Sequence, residues 1–229
     1  MPVRVVEYID RNGHSAYADW FGALNAQAAA KVATASTRMS LGNFSNVKAV
    51  GGGTYEYVID FGPGYRIYFG KDGEQLVILL GGGSKKQQQK DIRKAIGLWE
   101  EYKHRKKWGN RTMALTRDFK GTIKARAERD PVFRRELLIE GIEAFIAGDV
   151  ETGKAVLRDY INATVGFAKL AEKTDIPTKS LMRMLSPSGN PQAQNLFGIV
   201  AYLQKKEHLQ FKVKAAYAGQ RVSGTYPSL

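Results

Sequence analysis

The sequence contains no cysteine, which removes disulfides and thiolate metal sites and fits a reducing cytosol. It has no apolar run approaching a membrane span, and its opening MPVRVVEYID lacks a signal-peptide core. Charge asymmetry is missing as well. Residues 1–112 hold seventeen Lys and Arg against ten Asp and Glu, and the remainder holds eighteen against twelve. These absences lead to the expectation of a cytoplasmic protein without membrane contact. What is plentiful is positive charge: a net +13 over 229 residues, with a sequence pI near 9.8. Such a balance suggests polyanionic partners, and its even spread lets each half meet nucleic acid. The length is enough for one or two ordinary domains with a real core.

The most informative stretch is Gly51 to Lys94. Thr54–Asp60 alternates as a half-buried strand. Gly62-Pro63-Gly64 is a tight turn, because Pro fixes φ and Gly supplies positive φ. Tyr65–Phe69 is aromatic and branched, Lys71-Asp72-Gly73 is a hairpin signal, and Gln75–Leu80 is almost wholly apolar. Arg66, Lys85, Lys86 and Lys90, with Tyr57, Tyr65 and Tyr68 among them, would decorate the open face of this meander. Cations interleaved with aromatics suit an RNA backbone and unstacked bases. The plain alternative is a sheet whose tyrosines pack and whose lysines are solvated. Upstream, Val3–Ile9 reads as a strand and His14–Leu41 as helical, broken near Asn25-Ala26-Gln27, with Trp20, Phe21 and Leu24 on one face. Downstream, Gln87–Lys103 reads as a helix with Ile92, Ala95, Ile96 and Trp99 inward. The expected order is β-α-α-β-β-β-α, an α+β domain with an antiparallel sheet over residues 1–107.

Lys103–Thr112 is a basic run with a Gly-Asn break, which places a linker at 108–114. MALTRDFKG then reads like the start of another protein, with Met113 as its former first residue, as though two genes were joined head to tail. Residues 115–214 carry little strand signal and are expected to be all-α, with a loose tail at 215–229. Asp130-Pro131 is an N-cap followed by a first-turn Pro. Gly148-Asp149 starts the next helix, and Asn190-Pro191 caps another. Glu136, Glu140 and Glu143 are spaced like charges on a solvent-facing helix surface rather than metal ligands. Two short apolar-periodic helices, about 167–173 and 178–185, flank Thr174-Asp175-Ile176-Pro177, which suits a helix-turn-helix at about 167–186. Thr178, Lys179, Ser180 and Arg183 are its candidate DNA-contacting side chains, while the plain alternative is a helical bundle without DNA binding.

GNF at 42–44, YEYVIDFGPGYRIYF at 55–69 and LLGGGSKKQQQKDIRKA at 79–95 resemble the RelE/ParE toxin superfamily, and most of all its HigB-like branch of phage-derived addiction-module killer proteins. LAEKTDIPTKSLMRMLS and the following GNP resemble the HigA-like antitoxins with XRE-type helix-turn-helix folds. Asp175 stands where that motif usually has Gly, which Asp tolerates by visiting the left-handed region. The resemblance implies a metal-independent messenger-RNA endonuclease, commonly ribosome-dependent and without cofactor. Arg66 matches the arginine that stabilises the transition state. Lys85, with Lys86 beside it, matches a second basic residue. Glu56 and Val58 stand where ribosome-dependent relatives carry lysines. Cleavage through the 2′-OH also needs a base and an acid; Asp91, Tyr65, Tyr68 and His104 are the candidates for the base, with Tyr65, Tyr68 and Lys90 expected to touch RNA. The expectation is thus a fused toxin–antitoxin protein whose second half silences the nuclease and binds operator DNA, with a homodimer as the default. Phe119–Phe145 would cover the toxin, with Glu128, Glu136, Glu140 and Glu143 approaching its basic sheet. The alternatives are a DNA-binding regulator with an inert toxin domain and a ParE-like gyrase inhibitor.

Overall fold

The computed structural model describes residues 3–74, 76–108 and 114–214. The expected linker, apart from its two end residues, and the expected tail at 215–229 lie outside the described residues. The chain opens with strand β1 (Arg4–Tyr8) and helix α1 (Ala16–Ala23), whose N-terminus is held by the Ser15 hydroxyl accepting from the Ala18 N–H. Asn25 is the helix break anticipated from sequence: its side chain caps α2 (Ala26–Ser40) by accepting from the Ala28 N–H at 2.8 Å. Four antiparallel-paired strands follow, β2 (Val47–Gly51), β3 (Thr54–Ile59), β4 (Tyr65–Lys71) and β5 (Leu76–Ser84). A 3-10 turn at Lys85–Gln87 leads into α3 (Gln88–Trp108). Strand β6 (Thr116–Asp118) precedes α4 (Phe119–Arg129), α5 (Pro131–Ile146), α6 (Val150–Ala163), α7 (Phe167–Thr174), α8 (Thr178–Met184) and α9 (Ala193–Glu207).

The expected fold class, an antiparallel α+β domain followed by an all-α domain, is corrected by the sheet. The fold is mixed α/β: one six-stranded sheet in the order β2-β3-β4-β5-β1-β6. β1 runs parallel to β5, from Arg4↔Leu76 to Glu7↔Leu79, so the sheet is not antiparallel. β6 lies beyond the expected linker and pairs antiparallel with β1, so the second half is not all-α. Both features escape local pattern reading for a physical reason. A parallel pairing joins residues seventy-two positions apart with no tight turn linking the two strands, and the Thr116-Arg117-Asp118 strand is held by backbone bonds to an open edge, without apolar alternation.

The two faces of the sheet carry different cores. On one face Val5, Ile67, Phe69, Val77 and Leu79 pack under α1 and α2, and that core continues into Phe119, Phe133, Leu137, Leu157 and Tyr160 of the second half. On the other face Val6, Tyr8, Tyr68, Ile78 and Leu80 pack under Ala95, Trp99 and Tyr102 of α3. Burial of an aromatic or branched side chain contributes about 1.5–3 kcal/mol, so both faces stabilise the sheet substantially.

Polar contacts stitch the halves. Arg126 donates to the carbonyls of Phe21 and of Leu24 (2.6 Å), satisfying the C-terminal end of α1, and lies over the rings of Phe21 and Phe133. Lys31 meets Glu140 at 2.6 Å and Glu143 at 3.1 Å, and Arg38 meets Asp149 at 3.0 Å. Glu128 instead lies 3.9 Å from Lys124 of its own helix, and Glu136 is half-buried. The acidic side chains of α5 therefore meet α2 rather than the basic end of the sheet. Among the described residues, no helix is long and apolar enough to cross a membrane.

Candidate functional site

β1's register with β5 ends at Glu7↔Leu79, so Gly81–Ser84 runs on with no strand on that side. A cleft of about 400 Å³ opens around this free edge, between the start of α1 (Ala16, Asp19, Trp20) and the start of α3 (Gln87, Asp91, Lys94, Ala95). Tyr65, Tyr68, Leu80 and Ser84 complete its lining. The glycines of GGGS are what let the walls approach. A Cβ at Gly82 would overlap the Trp20 ring, and one at Gly83 would overlap the Asp91 carboxylate. Because successive strand residues face opposite ways, Trp20 and Asp91 grip the same strand from its two faces.

Tyr68 and Arg66 share Asp91's face. Tyr68 is 1 % exposed, so its ring is part of the core and offers no stacking platform. Its hydroxyl is buried with no hydrogen-bond partner among the described residues. Burial pushes that phenol's pKa far up, with Glu56 and Asp91 adding to the rise, so it stays protonated and keeps its O–H as a donor. Asp91 is half-buried at the first turn of α3; burial raises its carboxyl pKa against the pull of Lys90 and Lys94. The raised carboxyl pKa brings Asp91 closer to neutral pH, while the phenol holds its proton more tightly than a free tyrosine.

Arg66 is 8 % exposed. Its Nε stands 3.3 Å from Glu56 Oε2, an ion pair without hydrogen-bond alignment, and Nη1 donates to the Gly64 carbonyl at 2.9 Å. Glu56 also accepts from Gln88 Nε2 at 2.9 and 3.1 Å. The guanidinium is thus neutralised and tied to the Gly62–Gly64 turn, where the Lys85 N–H donates to the same carbonyl. Lys85, Lys86 and Lys90 are exposed and do not line the cleft, whose lining lysine is Lys94. The cleft therefore brings together Asp91, Tyr65 and Tyr68, with Arg66 and Lys85 beside the Gly62–Gly64 turn and outside its lining. It leaves out His104, exposed on α3 thirteen residues past Asp91 and so about 20 Å along the helix. Tyr57 is buried on the opposite face. Sequence reasoning missed Asp19, Lys94 and Gln88. It set Trp20 on one helix face with Phe21 and Leu24, without a role in the site, and met Glu56 merely as a departure from the lysine pattern. Among the described residues no cluster of His, Asp and Glu could hold a metal ion.

The second region of interest is α7, the Asp175–Pro177 turn and α8. Asp175 adopts φ 56°, the left-handed cap that the motif demands. Leu181, Met184 and Leu185 are buried, Lys179, Met182 and Arg183 are exposed, and Thr178 and Ser180 are half-buried. Lys154, 2 % exposed, donates to the carbonyls of Pro187 (3.1 Å) and Gly189 (2.7 Å). That fastens the 186–190 loop against α8 beside Arg183. α9 starts two residues after Pro191, with Gln192 at its N-cap and no side-chain cap bond, so Asn190 does not cap it as expected.

Compared with known proteins, the chain is 42 % identical over 83 residues to an uncharacterized protein of Haemophilus influenzae, a match covering 36 % of this chain and 84 % of that protein. No family model matches the chain, and no solved structure matches it.

Proposed function

From the premise that this chain belongs to one family with the uncharacterized Haemophilus influenzae protein, we propose that it is a fused toxin–antitoxin protein. Its first half is a HigB-like endoribonuclease of the RelE/ParE superfamily, and its second half carries a HigA-like, DNA-reading helix-turn-helix. The observation that carries the reading is the cleft at the free end of β5. There a half-buried carboxylate, a buried phenol without a partner among the described residues and the exposed Lys94 line one cleft. In this mechanism Asp91 takes the proton of a ribose 2′-OH as its oxygen attacks the adjacent phosphorus. The bond to the 5′-oxygen breaks, and that oxygen takes the Tyr68 proton, leaving a 2′,3′-cyclic phosphate. Lys94, from the cleft lining, and Lys85, from beyond it, supply positive charge to the phosphorane, and Arg66 positions Glu56 and the glycine turn rather than touching substrate.

The second half leaves this cleft open, since it docks on α2, the far end of α1 and the β1 edge. Silencing in the intact chain therefore rests on bulk that keeps a large RNA-bearing partner, such as a ribosome, from the rim. The Arg66–Glu56 pairing favours a second reading, a DNA-binding regulator whose nuclease is inert. Growth of cells making residues 1–118, which keep β6 and Arg117, separates the two. Arrest that is lost in Asp91→Asn and absent with the full chain supports the nuclease. Unimpaired growth with a stably accumulating fragment supports the regulator.

A further inference from the structure

The α1 side of the cleft is not used by the proton-transfer chemistry. Trp20 lies over Gly82, half-buried, with the remainder of its ring lining the cleft. Tyr65 pairs in register with Ser84, and Ile67 with Gly82, so Tyr65 and Trp20 stand on the same sheet face, two residues or about 7 Å apart along β5. Asp19 lies one position before Trp20 at the rim, exposed and without an ion pair among the described residues. Across the strand edge, the unpartnered Tyr68 hydroxyl marks where an oxygen acceptor would sit.

Resting on the nuclease reading, we infer that the α1 side of the cleft is a nucleobase subsite selective for guanine, with Trp20 and Tyr65 as its aromatic wall and Asp19 reading the base edge. The space, about 400 Å³, is of the size that takes small organic ligands. An unstacked base meets aromatic side chains through its π-face whatever its identity. The selectivity comes from Asp19. An ionised carboxylate only accepts, and guanine is the base that offers two adjacent N–H donors, from its ring imino and its amino group, to both oxygens at once. Uracil presents one N–H between two carbonyls that repel the carboxylate. With the base on Trp20, the strand edge carries its ribose and phosphate over toward Asp91 and Tyr68, so the subsite fixes which phosphate is cut.

The test is titration of the full-length protein with GMP, AMP, CMP and UMP, followed by tryptophan fluorescence and calorimetry, with inorganic phosphate as competitor. GMP is expected to bind about tenfold or more tighter than UMP, and Trp20→Leu to weaken GMP about tenfold, which Trp20→Phe largely restores, in line with the worth of base–aromatic stacking. Asp19→Asn is expected to bring the four nucleotides to within about twofold of one another, because it removes the bidentate acceptor. Asp19 is exposed, so its variant decides the question even if Trp20→Leu unfolds. Equal affinities in the wild type, an unchanged preference in Asp19→Asn, or full displacement by inorganic phosphate overturns the subsite. These outcomes are separable from the nuclease reading. RNA cleavage by residues 1–118 without GMP binding by the full-length protein discards the subsite alone, and GMP binding without cleavage by residues 1–118 discards the nuclease alone.

Discussion

Gly83 places Asp91 without supplying any chemistry of its own. Its missing Cβ is the space that the Asp91 carboxylate occupies, and its backbone is not in the left-handed region, so alanine is excluded by space and not by strain. Gly83→Ala is therefore expected to displace Asp91 and lower cleavage by residues 1–118 about a hundredfold, the order of loss for a catalytic group moved by about 1 Å. Circular dichroism and thermal unfolding check that the fold persists. Asp91 also sets a pH dependence. Its pKa is raised by burial, so the base form is lost at a higher pH than for an ordinary aspartate. Cleavage should fall as pH drops through that raised value, and the acid limb should vanish from whatever activity Asp91→Asn retains. At this scale the sequence was partly legible. Asp175 in a left-handed cap and Asn25 as a helix break follow from side-chain chemistry within a few residues. The pairing of Arg66 with Glu56 depends on β3 and β4 meeting in register, with Glu56 opposite Tyr68 and Val58 opposite Arg66.

At the scale of elements, β6 and β1 tie the halves through Glu7. That carboxylate is 0 % exposed, accepts from Arg117 at 2.9 Å, and has its Oε1 without a partner among the described residues. Arg117→Ala should destabilise the full chain by about 1–3 kcal/mol, the cost of leaving a buried polar group unsatisfied, with Glu7→Gln recovering part of the loss in the double variant. Chemical denaturation of the four proteins measures the coupling, and additive effects would show that the contact contributes nothing. α8 makes a separate claim on DNA. Arg183→Ala is expected to weaken operator binding by about 1–3 kcal/mol and relax sequence preference, while Lys179→Ala weakens all sequences alike. Gel shifts at one salt concentration, on operator and scrambled DNA, compare them. The helices and the hairpin strands were legible because caps, turns and periodicity are local. β2, with a half-exposed VKAVG, and β6, with no apolar residue, were not, because each is defined by the strand it joins.

For the whole molecule, one core runs from the α1–α2 face of the sheet into α4–α9, and the proposed catalytic cleft lies at its margin, at the free end of β5. Arrangement of the second half on α2 follows from Lys31, Arg38, Glu140, Glu143 and Asp149, whose pairing no single helix reveals. The cleft's position was legible through the GGGSKK run, whereas Trp20 and Asp19 come to it only because β1 stops short of Gly81. The central claim is that Asp91's surroundings cleave messenger RNA. It is tested most directly by primer extension on cellular messages from cells making residues 1–118, as wild type, as Asp91→Asn and as Lys85→Ala. Discrete new 5′ ends are expected in the wild type, absent in Asp91→Asn, weakened in Lys85→Ala and absent when the full chain is made instead. Identical ends in the wild type and Asp91→Asn, or none from a soluble, folded wild-type fragment, would contradict it.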